Sequence, residues 1–333
     1  MSISVVMSTY NGKSFIKKQL DSILNQTVIP DEVIICDDCS SDDTVGIISN
    51  YITVNNLNTW TLSVNKKNLG YKANFYQGIL KSKGDYVFFS DQDDVWLPNK
   101  IELMMQTFNE HPEIWTINCG VCLINEFDNP IKEKIEKNWA NCNFLYTEKK
   151  LPRLSFYASD FILRHNVGPG CAMAIDRRTA DTFIKTYNNE LPHDWHMNLI
   201  AAINGGCSFL NIPLIKYRLH GNNTIGANTN IFDGIRKKTR DFRVKDYQSR
   251  LASYYKICNQ FDILNLNTDL ESIALIKGMI DFYQSPSIFS LIKLRKMKGY
   301  KELSKRKVQL WEIAVALHLD VLIKKVLTKK NRK

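Results

Sequence analysis

The chain has 333 residues, 44% hydrophobic and 23% charged, so it can bury a core and wholesale disorder is excluded. With only 15 glycines and 9 prolines, collagen-like and proline-rich chains are excluded too. The formal net charge of +10 is unevenly divided. Residues 231–333 hold 23 basic and 10 acidic residues, a net of +13, whereas residues 1–230 hold 21 and 24, a net of −3. The C-terminal part therefore suggests an anionic partner, such as nucleic acid or a membrane.

Predicted strands and helices alternate along the first 110 residues. The strands are predicted at 3–8, 31–36, 60–64 and 86–89, and the helices at 15–24, 45–51, 71–83 and 99–109. This alternation predicts an α/β fold with a parallel sheet. Past residue 120 the alternation is less regular, with strands predicted at 172–175 and 207–217 and a helix at 197–204. From about residue 231 onward the pattern is helical.

Three of the predicted strands run into polar clusters. These clusters are Ser8-Thr9-Tyr10, Asp37-Asp38 and Asp91-Gln92-Asp93-Asp94. Ligands of parallel sheets bind at the carboxyl ends of the strands. The three clusters are therefore expected to share one site.

The cluster at 91–94 is a candidate metal site. Its carboxylates repel one another, and a divalent cation such as Mg²⁺ or Mn²⁺ would relieve that repulsion. Asp37-Asp38 could accept hydrogen bonds from a nucleobase or a ribose. The structural alternative is a helix N-cap for the cluster at 91–94 and a turn or an N-cap for Asp37-Asp38, since aspartate is favoured at N-caps.

The cysteines indicate a reduced compartment. Eight are spread along the chain, no stretch approaches the ~20 apolar residues of a membrane span, and the N-terminus lacks the basic region of a signal peptide. The pairs Cys36/Cys39 and Cys119/Cys122 have the spacing of a zinc site, but buried apolar thiols are favoured because residues three apart in a strand face opposite ways. A cytoplasmic protein is expected.

Several ordered motifs resemble family 2 glycosyltransferases, which have the GT-A fold. They are Ser-Thr-Tyr-Asn-Gly (8–12), the stretch 26–40 with Cys-Asp-Asp-Cys-Ser, Asn-Leu-Gly (68–70), Asp-Gln-Asp-Asp-Val-Trp (91–96), His-Asp-Trp (193–195) and Tyr-Arg-Leu-His-Gly-Asn-Asn (217–223). The resemblance extends over some two-thirds of the chain. The Asp-Gln-Asp-Asp form resembles the bacterial branch that builds O-antigen, capsule and rhamnan chains, including rhamnosyltransferases.

The resemblance implies roles for matching residues. Those assigned to the nucleotide are Thr9, Tyr10, Asp37, Asp38, Asn68, Gly70, Lys72, Asp91 and Gln92. Asp93 would be the main ligand of a Mn²⁺ or Mg²⁺ ion, with Asp91 assisting. His220 would complete the metal site, although a histidine of a surface loop is an equal alternative.

The resemblance also implies where the chemistry occurs. Asp194 matches the family's catalytic base, which deprotonates the acceptor hydroxyl in an inverting transfer. A helix N-cap is its structural alternative. Gly170, His193 and Trp195 would shape the pocket for the acceptor and the sugar, although core packing explains Trp195 nearly as well.

The predicted organisation is a GT-A catalytic domain at 1–230, with a nucleotide-binding half at 1–110 and an acceptor-binding half at 111–230, followed by a basic helical region at 231–333. The stretches 288–298 and 304–325 mix large apolar and basic residues, a pattern typical of helices that lie on anionic membranes. Helices packed on the catalytic domain are the alternative. Nucleic acid is not expected, because no recognised module accompanies the charge.

The expected activity is transfer of a sugar from dTDP-rhamnose, or from UDP-glucose or UDP-galactose, to a saccharide acceptor linked to a polyprenyl diphosphate. The enzyme would then lie peripherally on the inner face of the plasma membrane and act in cell-surface polysaccharide synthesis. Two rivals are a sugar-nucleotide nucleotidyltransferase and a non-enzymatic basic adaptor for membranes or nucleic acid. The first should have a Gly-rich basic loop after the first strand, and the second would not need acidic clusters at strand ends.

Overall fold

The computed structural model describes residues 1–131, 151–220, 239–261, 270–303 and 306–320. The chain forms two compact units. Unit 1 consists of residues 1–162 and 166–223, and unit 2 consists of residues 163–165 and 224–333.

Unit 1 is built on a mixed sheet whose first half is parallel. Its first elements are β1 (Ile3–Thr9), α1 (Ile16–Leu24), β2 (Glu32–Asp37), α2 (Thr44–Val54), β3 (Trp60–Val64), α3 (Tyr71–Lys81) and β4 (Tyr86–Asp91). Strands β3, β2, β1 and β4 are neighbours in that order, and all pair in parallel. The predicted α/β fold with parallel strands is confirmed.

The remaining strands of unit 1 extend this sheet with mixed pairing. The elements are β5 (Val95–Trp96), α4 (Lys100–Glu110), β6 (Thr116–Asn125), β7 (Leu154–Phe156), α5 (Ser159–Arg164), β8 (Met173–Asp176), α6 (Arg177–Thr186), α7 (His193–Ile203) and β9 (Cys207–Leu219). The order continues from β4 through β8, β6 and β9 to β5, while β7 pairs with β9. β8 runs antiparallel to both β4 and β6.

The central strands are apolar because both faces of the sheet are covered. In β1, Val5, Val6 and Met7 are fully buried, although successive side chains point to opposite faces. Helix α1 is amphipathic instead, and buries Ile16, Leu20 and Ile23 at the spacing of one helix face. This difference in pattern is what distinguishes strand from helix in the sequence.

Unit 2 is helical in its described part, as the sequence predicts. Its helices are α8 (Arg240–Gln260), α9 (Leu270–Gln284), α10 (Ile288–Arg295), α11 (Tyr300–Leu303) and α12 (Arg306–Ala316). The hydroxyls of Tyr283 and Tyr300 donate hydrogen bonds to the buried Glu312 carboxylate, the first at 3.3 Å. Arg240 pairs with Asp320 and so ties the start of α8 to the chain beyond α12. The predicted stretch 321–325 lies outside the described residues.

No helix in the described ranges has the length and apolar character needed to cross a bilayer.

The cysteines of the two C-x-x-C pairs do not converge in the described residues. Cys36 and Cys119 are buried, whereas Cys39 and Cys122 are exposed. Within β6, Cys119 and Cys122 thus face different environments, as expected for residues three apart in a strand. This arrangement favours separate thiols over a zinc site.

Candidate active site

The three polar clusters meet at the carboxyl edge of the parallel strands. Thr9 at the end of β1 is the register partner of Asp37 at the end of β2, and Ser8 is the partner of Asp91 at the end of β4. Because these three strands are adjacent and parallel, their C-terminal residues lie side by side. The structure therefore brings together the clusters that the sequence predicts to share a site.

The carboxylates of Asp37 and Asp38 shape the loops of this edge. Asp37 is fully buried and accepts hydrogen bonds from the hydroxyls of Thr9 at 2.8 Å and Ser40 at 2.6 Å. Asp38 is also buried, and its two oxygens accept from the backbone N–H groups of Leu69 and Gly70, each at 2.8 Å. The loop of the Asn-Leu-Gly motif is thus tied to the end of β2. The nucleotide contacts assigned to both carboxylates stay a prediction.

Gln92 joins the acidic cluster to the end of β1. Its side-chain amide receives a hydrogen bond from the Tyr10 N–H at 2.5 Å and donates one to the Tyr10 carbonyl at 2.8 Å. The Tyr10 side chain is 47% exposed, so its ring is accessible at this edge. Both residues lie where a nucleotide contact is predicted.

Asn68, Gly70 and Lys72 surround the start of α3. The Asn68 side chain accepts a hydrogen bond from the Gly70 N–H at 3.1 Å. Gly70 has a φ of +83°, a conformation that favours glycine, immediately before the helix. The Lys72 ammonium donates to the carbonyls of Asn189 at 2.6 Å and Glu190 at 3.1 Å. In this conformation Lys72 therefore anchors the loop between α6 and α7, and its phosphate contact stays a prediction.

Asp93 and His220 come together from positions 127 residues apart. The Nε2 atom of His220 lies 2.8 Å from Oδ2 of Asp93, and the side chains are only 10% and 16% exposed.

Arg218, fully buried at the end of β9, bonds the acidic loop at 91–94. Its Nε donates to the Asp93 carbonyl at 2.7 Å, and its backbone N–H donates to Oδ1 of Asp94 at 3.0 Å.

A second acidic group lies deeper beneath the loop. One ligand atom from each of Asp91, Asp94 and Cys171 falls within 4.8 Å of the others. Burial raises the pKa of Asp94 above its ordinary value, and the negative charge of Asp93 raises it further. Burial, Asp93 and Asp94 likewise raise the pKa of Asp91 well above its ordinary value. These shifts express the cost of burying carboxylates and of holding several negative charges close together.

Lys100 supplies a buried positive charge to this deeper group. It is fully buried at the first position of α4, donates to the Cys171 carbonyl at 2.7 Å, and lies 3.7 Å from the centre of the Trp96 ring. Burial lowers the pKa of its ammonium to about 8, while Asp94 and Asp91 act to raise it. Lys100 is therefore still largely protonated at pH 7 and offsets part of the carboxylate charge.

The residues present fit a divalent cation, and the pair Asp93 and His220 fits it better than the deeper group of Asp91, Asp94 and Cys171. Burial raises the pKa of the Cys171 thiol well above its ordinary value, which keeps the sulfur protonated, and Mg²⁺ and Mn²⁺ prefer oxygen ligands. Asp93 and His220 offer a carboxylate and an imidazole that are partly exposed and already in contact. Histidine is a common ligand of transition metals.

Asp194 occupies the second position of α7 and is 7% exposed. Its Oδ2 accepts a hydrogen bond from the side-chain amide of Asn166 at 2.8 Å. Burial raises its pKa to about 6, although this hydrogen bond and those from the N–H groups of Trp195 and of Asp194 itself act to lower it. The negative charge of Asp194 acts on Asp91 and on the hydroxyl of Tyr71. Burial raises the pKa of that hydroxyl, and the charges of Asp194 and Asp91 raise it further. A carboxylate with this pKa can accept a proton near neutral pH.

The three residues predicted for the sugar and acceptor pocket differ in their surroundings. His193 is 4% exposed and stacks on Phe75 with ring centres 4.0 Å apart, and burial lowers the pKa of its imidazole to about 3. Gly170 lies directly against this ring. Trp195 is half-buried and donates its indole N–H to the Ile162 carbonyl at 2.6 Å. The packing alternative raised for Trp195 therefore has structural support, and the pocket roles stay predictions.

Replacing Gly170 by alanine should destabilise unit 1 and lower activity. A Cβ at this position would lie 2.3 Å from Nε2 of His193, so the stacked ring and the first turn of α7 would have to move. Overpacking of this kind costs about 1–3 kcal/mol. Thermal unfolding and the transfer rate should both report the change. In a His193→Ala background the same substitution should cost much less, and an equal cost in both backgrounds would refute the clash.

Sequence reasoning missed three residues of this site. Arg218 lies in the quoted Tyr-Arg-Leu-His stretch but had no assigned role, and Lys100 has the position of an ordinary surface lysine at a helix start. Asn166 carries no motif signal. Only the position of Arg218 two residues before His220 could have indicated that it helps to hold the acidic loop.

The family of the chain follows from its relatives. The model of glycosyl transferase family 2 matches residues 4–174. The dTDP-rhamnosyl transferase RfbG of Shigella flexneri is 30% identical over 237 residues, which cover 67% of this chain and 74% of that protein. The GalNAc(5)-diNAcBac-PP-undecaprenol beta-1,3-glucosyltransferase of Campylobacter jejuni subsp. jejuni is 26% identical over 303 residues, which cover 87% of this chain and 92% of that protein.

Solved structures show the same fold. The 1–349 portion of S. aureus TarS in complex with UDP-GlcNAc has a TM-score of 0.56 and 14% identity, covering 94% of this chain and 91% of that one. The mannosyltransferase PcManGT from Pyrobaculum calidifontis in complex with GDP-Man and Mn²⁺ has a TM-score of 0.53 and 14% identity, covering 95% and 86%. These likenesses confirm the predicted GT-A fold, and the matches favour neither rival hypothesis. The chain belongs to glycosyltransferase family 2 and is a glycosyltransferase.

Proposed function

We propose that this glycosyltransferase is an inverting enzyme that moves a sugar from a nucleotide diphosphate to a saccharide acceptor with the help of Mn²⁺ or Mg²⁺. The observation that carries the proposal is the placement of Asp194. It is a buried carboxylate whose pKa of about 6 suits a general base, and its charge reaches Asp91 at the end of β4. A single base near the acidic edge is what a single displacement needs.

In the proposed reaction, Asp194 takes the proton of the acceptor hydroxyl while that oxygen attacks the anomeric carbon opposite the leaving diphosphate. Asp93 and His220, assisted by Asp91, would hold the cation, and its charge would offset the charge that builds on the departing diphosphate. The nucleotide would lie along the ends of β1 and β2, where Tyr10 is exposed. The sugar would lie between these two groups.

The proposed donor is dTDP-rhamnose, with UDP-glucose or UDP-galactose as the next choices. Support for rhamnose comes from the relative named as a dTDP-rhamnosyl transferase. The relative named for a PP-undecaprenol substrate supports an acceptor linked to a polyprenyl diphosphate. The enzyme would then act in bacterial cell-surface polysaccharide synthesis, such as that of O-antigen or capsule.

A screen of nucleotide sugars tests this proposal. Purified enzyme with Mn²⁺ should be stabilised against heat by dTDP-rhamnose, because a ligand that binds only the folded state at 100 times its Kd adds about 2.7 kcal/mol. The same donor should be hydrolysed slowly, and EDTA should stop this hydrolysis. Stabilisation by UDP-glucose alone would shift the donor assignment, and a lack of response to every nucleotide sugar would overturn the proposed activity.

We further propose that unit 2 places the enzyme on the anionic inner face of the plasma membrane. Helix α10 buries Leu291 and Leu294 and leaves its other face to solvent. That face carries the exposed residues Ile288, Phe289, Ile292, Lys293, Arg295 and Lys296. Large apolar side chains beside lysine and arginine suit the headgroup boundary of an anionic bilayer. The net charge of +13 in residues 231–333 acts in the same direction.

Substituting Phe289 by serine should weaken binding to vesicles that contain anionic lipid. Phe289 is 80% exposed, and burying such a side chain contributes about 1.5–3 kcal/mol, roughly a tenfold or larger change in partitioning. Co-sedimentation of the full chain measures the effect. Phe127→Ser is the matched control, because Phe127 is 72% exposed in unit 1. Equal loss in both variants, or no binding by the unmodified enzyme, would refute the α10 surface.

A further inference from the structure

We infer that Asn166 is a positioning residue, which holds the Asp194 carboxylate in the orientation needed for proton abstraction. The inference rests on the proposed role of Asp194 as the base. Asn166 is 1% exposed and lies just before the Gly-Pro-Gly stretch at 168–170. Its contact with Asp194 Oδ2 at 2.8 Å is the side-chain hydrogen bond that reaches this carboxylate in the described residues.

The orientation of the Asn166 amide is fixed by its other contacts. Its oxygen accepts hydrogen bonds from the Val167 N–H at 3.0 Å and from the Asn198 amide at 2.8 Å. Its nitrogen donates to the Gly168 carbonyl at 3.0 Å as well as to Asp194. Since a flipped amide would lose these bonds, the nitrogen faces Asp194. Towards the Asp194 carboxylate, Asn166 therefore acts as a donor.

Asn198, which bonds the Asn166 oxygen, is itself held by the buried amide of Asn118. Asn198 and Asn118 are both fully buried and exchange two hydrogen bonds, at 2.8 and 3.1 Å. The Asn118 nitrogen also donates to the Ser208 carbonyl at 3.1 Å, and the Thr116 hydroxyl donates to the Asn198 oxygen at 3.1 Å. The amides thus form a hydrogen-bonded chain from Asn118 in β6 through Asn198 in α7 to Asn166, which bonds Asp194. Buried polar networks that are fully bonded rigidify their surroundings.

The charges near Asp194 make a dedicated donor useful. Tyr71 from α3 and Asp91 from β4 interact electrostatically with Asp194, and the adjacent His193 is buried and neutral. None of these groups favours the ionised carboxylate, and burial disfavours it. The N–H groups of Trp195 and of Asp194 itself favour it, as does the amide of Asn166, which also restricts the carboxylate to one orientation. A proton acceptor must lie within hydrogen-bond reach of the hydroxyl it deprotonates, so this restriction matters for rate.

The test compares Asn166→Ala and Asn166→Asp with the unmodified enzyme, using the pH dependence of kcat at saturating donor, acceptor and Mn²⁺. Asn166→Ala should lower kcat by roughly 10–100-fold, because misplacement of a reacting group by about 1 Å can cost about 10²-fold. The acidic limb of the kcat–pH profile should also move up by roughly one to two pH units, because the ionised carboxylate loses a charge-assisted hydrogen bond. The KM for the donor should change little.

Asn166→Asp keeps the shape of the side chain but turns the donor into a negative acceptor. Its acidic limb should move further upward than that of Asn166→Ala, so a packing defect alone cannot account for the series. Gln26→Ala is the matched control, since Gln26 is a buried amide that bonds backbone groups of Leu97 and Ile101. This control should leave the acidic limb unmoved.

Asp194→Asn separates the two levels of the proposal. If Asp194→Asn is inactive and both Asn166 variants keep the normal pH profile and kcat, the positioning role is refuted while the base assignment stands. If Asp194→Asn keeps normal turnover, the base assignment fails, and the role of Asn166 fails with it. Thermal unfolding of each variant confirms that folded protein is compared.

Discussion

Replacing Asp194 by asparagine should abolish sugar transfer, with a fall in kcat of roughly 10²–10⁴-fold, the range that a general base supplies. Asparagine has nearly the same shape, so the first turn of α7 and the Asn166 contact site are retained. The amide cannot take a proton from the acceptor. Donor binding should persist, because the proposed nucleotide contacts lie at the ends of β1 and β2. Initial rates with donor and acceptor, beside donor-induced thermal stabilisation, measure the two effects separately.

The stability of this variant gives an independent check with a defined sign. The pKa of Asp194 is raised to about 6 in the folded protein, against an ordinary value near 3.8. The folded state therefore binds the proton more tightly, and ionised Asp194 costs stability above pH 6, by roughly 2–3 kcal/mol. Asp194→Asn should be at least as stable as the unmodified enzyme at pH 7, and this advantage should shrink as pH falls from 6 to 4.

The same pKa predicts how the unmodified enzyme responds to acid. Its kcat should fall as pH decreases through about 6, because protonated Asp194 cannot accept the hydroxyl proton. A folded Asp194→Asn protein with near-normal turnover would show that another group is the base. A rate that stays constant down to pH 4 would lead to the same conclusion.

The sequence could predict the shared edge of the sheet because local patterns indicate where each strand ends. Buried apolar runs mark β1, β2 and β4, and each runs directly into polar residues. Once these strands are parallel and adjacent, Thr9, Asp37 and Asp91 must lie together. The meeting of Asp93 with His220 was predictable only through the family resemblance, because no local pattern links positions 127 residues apart.

Other parts of the site depend on tertiary contacts that leave no local signal. Lys100 precedes the apolar face of α4 and would be expected at the surface, yet it is fully buried beneath the acidic loop. Asn166 is one of many asparagines, and only the fold shows that it points at Asp194. The resemblance predicts that Lys72 contacts the nucleotide, and in the structure its ammonium bonds the carbonyls of Asn189 and Glu190. Long polar side chains can reach several partners, so sequence position alone does not select one.

Replacing Asp93 by alanine should remove the response of the enzyme to Mn²⁺ and reduce transfer by about 10²–10³-fold or more, since charge neutralisation by a bound cation is worth several kcal/mol at about 1.4 kcal/mol per tenfold. The loop itself should persist, because Arg218 bonds the backbone carbonyl of residue 93 rather than its side chain.

A titration with Mn²⁺, followed by donor hydrolysis, measures the loss in Asp93→Ala. Asp181→Ala is the matched control, because this carboxylate is 56% exposed on α6 and should leave the titration unchanged. His220→Ala should weaken the Mn²⁺ response less than Asp93→Ala does, since it removes an imidazole but no negative charge. If Asp93→Ala kept a normal Mn²⁺ response while Asp94→Asn lost it, the cation would belong to the deeper group of Asp91 and Asp94. Binding there would occur against the positive charge of Lys100, which acts on both carboxylates.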